Sequence, residues 1–249
     1  MTATAIIPAR FASTRFPGKP LAADTGKPLI QHVVERLAAC ETLSRVVVAT
    51  DDSRIHDAVI AFGGESVMTG EHDNGTSRLA QAAATLGLAQ DDLVVNVQGD
   101  EPEIPSQTVD ALVRGLAADT TADMATLAAL FTPGEDPTNP NIVKMVLNRR
   151  NRAMYFSRSL IPFDRDNTAD ATVYKHPGLY AYRKSFLDQY AKLKPTPLEQ
   201  AEKLEQLRVL EHGFSIAVVH AAAPHPGIDT PEQYADFVTR WKKAAHHAP

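Results

Sequence analysis

What the sequence has little of narrows its function first. There is one cysteine, Cys40, in 249 residues. That rules out an intrachain disulfide and fits a reducing compartment, with Cys40 expected as a packed helix residue. No apolar run comes near the roughly 20 residues of a membrane-spanning helix, so no membrane insertion is expected. The first apolar run is cut short by Pro8 and Arg10. That is too early for the apolar core of a secretory signal, and a cytoplasmic location is expected. Positive charge is not in excess: 25 Lys and Arg against 30 Asp and Glu give a net charge of −5. The basic footprint of a nucleic-acid partner is therefore missing. No cysteine–histidine spacing matches a zinc site, and no Gly-x-Ser-x-Gly supplies a hydrolase nucleophile.

What is present suits a soluble core, with 44% apolar and 22% charged residues. Apolar runs predict strands over 3–7, 45–49, 65–68 and 93–97. Between and after them, helices are expected from Pro28, over 53–61 and 79–86, and over 106–117. Leu29, Val33, Val34 and Leu37 keep helical spacing, and Gly63-Gly64 stops the second helix. Four such β–loop–α units predict an α/β fold whose mostly parallel central sheet is flanked by helices. Ligands of such sheets sit beyond the carboxyl ends of the strands. The polar clusters at 8–20, 50–52, 72–78 and 98–103 all fall at or near that edge. Past Met124 the rhythm changes. Strands are expected over 124–131, 142–147, 178–182 and 216–220, with a turn-rich segment over 132–141 and a mobile loop over 163–175. Helices are expected over 197–211 and from Pro231, the latter capped by Thr230. The chain reads as one domain, 1–249, with an insertion over about 142–215 serving as lid or dimer face.

Three cations, Arg10, Arg15 and Lys19, crowd the loop after the first strand. Arginine forks and a lysine point charge are the usual means of holding phosphate oxygens. The alternative is a solvated loop with incidental charge. A P-loop is excluded, because Ser13 stands where the motif needs its first Gly and Pro20 where it needs Ser or Thr. Asp100 ends the fourth apolar strand, a place suited to a Mg²⁺ that also binds phosphate. Asp229 is the candidate second carboxylate, capping of the last helix being its alternative role. Residues 72–78 open a helix and could meet a base or phosphate, though turn-plus-cap explains them equally well.

Eight segments together resemble the 3-deoxy-manno-octulosonate cytidylyltransferase (CMP-Kdo synthetase) family. They are 6–21 (IIPARFASTRFPGKPL), 47–52 (VVATDD), 75–80 (GTSRLA), 94–102 (VVNVQGDEP), 155–162 (YFSRSLIP), 176–182 (HPGLYAY), 204–210 (LEQLRVL) and 228–232 (IDTPE). The resemblance implies a Rossmann-type, nucleotide-diphospho-sugar transferase-like domain with an inserted lid and dimerisation region, assembled as a homodimer. It implies that CTP and Kdo give CMP-Kdo and pyrophosphate, for lipopolysaccharide biosynthesis, with Mg²⁺ required. Arg10, Ser13, Arg15 and Lys19 would hold the triphosphate. Arg78 and Gln98, with backbone near Ala9 and Gly75, would surround the cytosine. Asp100 and Asp229 would hold the metal and, with Lys19, carry the catalysis. Arg158, His176, Tyr180, Glu205 and Gln206 would contact the sugar acid, Arg158 as partner of its carboxylate. Two positions depart from the family pattern: Ser77 replaces an acidic residue that is often present, and Asn74 replaces a Ser. The rivals are a cytidylyltransferase for 8-amino-Kdo or sialic acid, and a non-catalytic nucleotide-binding protein on the same scaffold. The run Arg15-Phe16-Pro17-Gly18-Lys19-Pro20-Leu21 argues against sialic acid, and retention of both Asp100 and Asp229 against the second.

Overall fold

Strand β1 (Ala3–Ala9) is buried along its length except for half-buried Pro8. It sits in a computed structural model that describes residues 2–12, 15–72, 74–166, 168, 171–222 and 227–246. After it come α1 (Leu29–Leu37), β2 (Leu43–Thr50), α2 (Ser53–Ala61), β3 (Glu65–Met68), α3 (Gly75–Thr85), β4 (Leu93–Asn96) and α4 (Ser106–Ala118). β1, β2, β3 and β4 pair in parallel. The period-two alternation of a strand explains why their sequences are apolar throughout. Ile7, Val48 and Val95 face one apolar layer, with Ile30 and Leu112 from α1 and α4. Ile6, Val47 and Val94 face the other, with Leu79 from α3. Both faces are covered, so neither can be polar.

The second half continues as β5 (Met124–Leu130), β6 (Lys144–Leu147), β7 (Ala153–Ser157), β8 (Tyr174–Lys175) and β9 (Tyr180–Arg183). Then follow α5 (Lys184–Tyr190), α6 (Pro197–Glu202), α7 (Gln206–Glu211), β10 (Ile216–His220) and α8 (Pro231–His246). One 10-stranded sheet results, in the order β3-β2-β1-β4-β9-β5-β8-β6-β7, with β10 parallel to β5. β9 runs antiparallel between β4 and β5. Glycine at 115 lets α4 lie on β10, since a Cβ there would be 2.2 Å from Val219 Cγ2.

Several expectations are corrected. The sheet is mixed beyond β4, because β9, β8, β6 and β7 pair antiparallel while β10 pairs in parallel with β5. β7 and α5 were not expected, and β8 forms inside the segment read as a loop over 163–175. The helix expected over 197–211 is two, because Lys203 adopts a left-handed conformation, φ 55°. Cys40 lies buried just past α1 and not within it. No helix among the described residues is long and apolar enough to cross a membrane.

Candidate active site

Parallel register brings Ala9, Thr50 and Met68, the last residues of β1, β2 and β3, to one edge. The loop leaving β1 folds back through Gly18, whose φ of 70° favours glycine and whose Cβ would stand 3.2 Å from the Phe11 ring. A short 3-10 helix, Lys19–Leu21, follows and presents the lysine. Lys19 Nζ donates to Asp100 Oδ2 at 2.7 Å and to the Ile228 carbonyl at 2.6 Å. Asp229 Oδ1 lies 3.8 Å from the same ammonium and accepts from Arg15 Nη2 at 2.9 Å. The backbone locks the pair, Ile228 N donating to Asp100 O at 2.8 Å. Lys19 and the two aspartates, far apart in sequence, thus share one point. Asp229 is not the cap of α8: Thr230 Oγ1 accepts from Gln233 N at 3.4 Å, and the Asp229 carboxylate turns to Arg15.

Two carboxylates converging on an ammonium make an oxygen donor set that suits a hard divalent cation. Among the described residues no group of three or more His, Cys, Asp and Glu could hold a metal. Such a pair fits an ion whose remaining ligands are phosphate oxygens and water, as Mg²⁺ prefers. Glu101, next in the chain, keeps a buried Oε2 without a partner. Burial, and then the charge of Asp100, push its carboxyl up to about 8.

Beside this edge opens a cavity of about 390 Å³, lined among others by Gly75, Gln98, His176, Tyr180, Glu205 and Gln206. β9 supplies Tyr180, which pairs with Asn96 of β4 on one side and Thr126 of β5 on the other. The break at Lys203 turns α7 so that Glu205 and Gln206 reach the wall. A bidentate pair of Arg208 with Glu199, at 2.8 and 2.6 Å, fixes that elbow. Glu205 Oε2 accepts from Thr76 Oγ1 at 3.2 Å and from Tyr190 OH at 3.4 Å. Desolvation at the cavity wall raises its pKa, against the lowering by Thr76. His176 lies between the rings of Phe156 and Tyr180, at 4.7 and 5.4 Å. Burial there drives its pKa down to about 3, so it is neutral across the physiological range.

The other expected residues are placed differently. Arg10 reaches across to the carbonyl of His72, tying the first and third edge loops. Ser13 lies outside the described residues. Ala9 is buried at the end of β1. Arg78 does not open on the cavity: its side chain has 0% exposure, donating to Thr69 Oγ1 at 2.6 Å and Asp51 Oδ2 at 2.5 Å. Arg158 is also turned away. Its Nε donates to Glu202 O at 2.7 Å and its Nη1 to Pro140 O at 3.0 Å. Asn74 Oδ1 caps α3 by accepting from Ser77 N at 2.8 Å, a role that the Ser of the family pattern fills equally well. Thr76, Asn96, Tyr182 and Tyr190 also line the cavity and were not anticipated. Asn96 carried a signal, a polar residue inside an otherwise apolar strand. The tyrosines carried none, since aromatic residues in strands and helices read as core.

A family model described as cytidylyltransferase matches residues 4–216. A 3-deoxy-manno-octulosonate cytidylyltransferase of Syntrophobacter fumaroxidans is 52% identical over 93% of this chain and 94% of that protein. An 8-amino-3,8-dideoxy-manno-octulosonate cytidylyltransferase of Shewanella pealeana is 50% identical over 93% of this chain and 95% of its own. Among solved structures, a CMP:2-keto-3-deoxy-manno-octonic acid synthetase complexed with CTP superposes with a TM-score of 0.91 at 42% identity, covering 98% of this chain and all of that one. A 4-diphosphocytidyl-2C-methyl-D-erythritol synthase, 15% identical with a TM-score of 0.64, shares the fold. With sequence, fold and the clustered edge loops in agreement, the chain belongs to the cytidylyltransferase family, and within it to the 3-deoxy-manno-octulosonate cytidylyltransferases.

Proposed function

We propose that this protein transfers CMP from CTP to the anomeric hydroxyl of Kdo, releasing pyrophosphate. The observation that carries the reading is the meeting of Lys19, Arg15, Asp100 and Asp229 at one sheet edge, beside a cavity walled by Glu205 and Gln206. The edge cations suit a triphosphate, and the cavity's polar wall suits a polyhydroxy acid. The anomeric oxygen forms a bond to the α-phosphorus as the bond from that phosphorus to the β-phosphate bridging oxygen breaks. The hydroxyl proton leaves to a base or to solvent. Catalysis of this kind rests on positioning and on neutralising charge that builds on the phosphate oxygens. Lys19 and Arg15 would exchange their aspartate partners for those oxygens. Asp100 and Asp229 would hold Mg²⁺, which when bound supplies Lewis-acid charge and lowers the pKa of a nearby hydroxyl. His176 is unsuited as the base, since its pKa is near 3 and both ring nitrogens are engaged. Glu205 is the acidic residue of the cavity lining, and desolvation makes it more basic.

A homodimer and a cytoplasmic setting belong to the same reading. Exposed Met154, Leu160 and Phe163, at 61, 40 and 86%, support a contact face within the segment expected to serve dimerisation. Sedimentation of the purified chain at a single monomer mass would remove it.

Pyrophosphate release should require CTP, Mg²⁺ and Kdo together. The likeness to the Shewanella pealeana protein makes 8-amino-Kdo the second substrate to try, with sialic acid as the third. No turnover with Kdo, or equal turnover with sialic acid, would overturn the reading. Asp100→Asn should cut turnover by at least about 100-fold with the fold intact by circular dichroism; near-normal turnover would remove the metal role of Asp100.

A further inference from the structure

One wall of the cavity carries a directed chain of hydrogen bonds that starts outside it. Thr126, on β5, is fully buried. Its Oγ1 donates to the Leu179 carbonyl at 2.7 Å. A threonine hydroxyl has one proton, so this bond leaves the oxygen only as an acceptor. His176 Nε2 lies 2.9 Å from that oxygen and must carry the proton between them. A neutral imidazole protonated at Nε2 has a bare lone pair at Nδ1. Gln206 Nε2, 3.3 Å from Nδ1, is therefore its donor. The carboxamide cannot be reversed without setting two acceptors against each other. With Nε2 committed to the histidine, Oε1 is the acceptor Gln206 keeps, and the residue lines the cavity.

We propose that Thr126 is a positioning residue for the sugar acid: through His176 it fixes the Gln206 amide so that an acceptor faces the cavity beside the Glu205 carboxylate. The pair sets two acceptors, the amide oxygen and the carboxylate, side by side in this stretch of wall. It selects the hydroxyl donors of a polyol chain and rejects the carboxylate of the same molecule, so it sets which end of the substrate enters. This rests on the reading of the cavity as the sugar-acid site, but the hydrogen-bond relay itself does not.

The experiment separates the two. ¹⁵N-histidine NMR of the substrate-free protein should show His176 as the Nε2–H tautomer, with a pyridine-like Nδ1. Thr126→Val should abolish that single tautomer and Thr126→Ser should keep it. In kinetics, Thr126→Val should raise KM for Kdo about 10-fold, the loss of roughly one hydrogen bond's worth of binding, with KM for CTP unchanged. Thr126→Ser should restore it. An Nδ1–H tautomer in the unaltered protein would overturn the relay even if Thr126→Val fails to fold. So would an unchanged tautomer in Thr126→Val, or equal increases in KM for both substrates. If the unaltered protein shows the Nε2–H tautomer yet turns over no Kdo, the relay stands, and both the functional reading and the sugar-positioning role fall.

Discussion

Cys40 Sγ rests 3.7 Å from the Ser106 carbonyl, and burial followed by the charge of Asp110 pushes its thiol up to about 12. A thiol so rarely ionised is a poor nucleophile at neutral pH. Ellman's reagent at about pH 8 should leave the folded protein unlabelled and label it fully in denaturant; rapid labelling of the folded chain would contradict the burial. Arg78 shows the converse at this scale. The family resemblance implied a ligand contact for it, yet its guanidinium is enclosed with Thr69 and Asp51. There it ties the loops after β2 and β3 behind the start of α3. Charge is visible in a sequence, whereas the direction a long side chain takes depends on the partners that the fold supplies.

At the scale of elements, two contacts set the geometry. Gly115→Ala would place a methyl 2.2 Å from Val219 Cγ2, a stiff β-branched side chain. Overpacking costs about 1–3 kcal/mol, while alanine gains about 0.5–1 kcal/mol of helix propensity. The clash wins, and urea denaturation should show a net loss of about 1 kcal/mol or more; a more stable variant would show that α4 can shift freely on β10. The elbow between α6 and α7 depends on the buried Arg208–Glu199 pair. Arg208→Met leaves Glu199 buried without its cation and should cost about 3 kcal/mol. It should also raise KM for the sugar acid more than KM for CTP, because Glu205 and Gln206 ride on that elbow; equal changes would mean that the elbow does not shape the cavity. The segment 197–211 read as one helix because its apolar spacing is helical throughout. Nothing local announces that Lys203, a good helix former, would take a left-handed conformation.

For the whole molecule, acid stability has an identifiable contributor. Glu135 is bonded to Lys175 and Thr132, which lower its pKa from the ordinary 4.5 to about 2. A carboxylate depressed in the folded state contributes stability above its unfolded pKa and loses it as pH falls through its folded one. The contribution is therefore full above about 4.5 and gone near 2. Glu135→Gln should flatten the pH dependence of the urea midpoint in that window, where the parent protein falls more steeply; parallel curves would show that the pair is not a determinant. The bond also pins β8 near the end of β5, since Tyr174–Lys175 pairs with Leu130 and Ala129.

The parallel half of the sheet was legible from residue order alone. Continuous apolar runs separated by capped helices leave few arrangements in which both faces are covered. So was the placing of a cationic loop and Asp100 at the carboxyl edge, because loops that follow parallel strands share that edge. The remainder depends on long-range pairing and packing. β9 enters between β4 and β5 through pairings distant in sequence, and no local pattern encodes a strand's neighbours. That insertion brings Tyr180 and Tyr182 into the cavity wall, and the loop before it delivers His176 to Thr126. Asp229 meets Asp100 only when the segment before α8 returns to the edge and Ile228 bonds to its backbone. Residue type states what each group can do, and proximity, which long-range packing alone supplies, states with what.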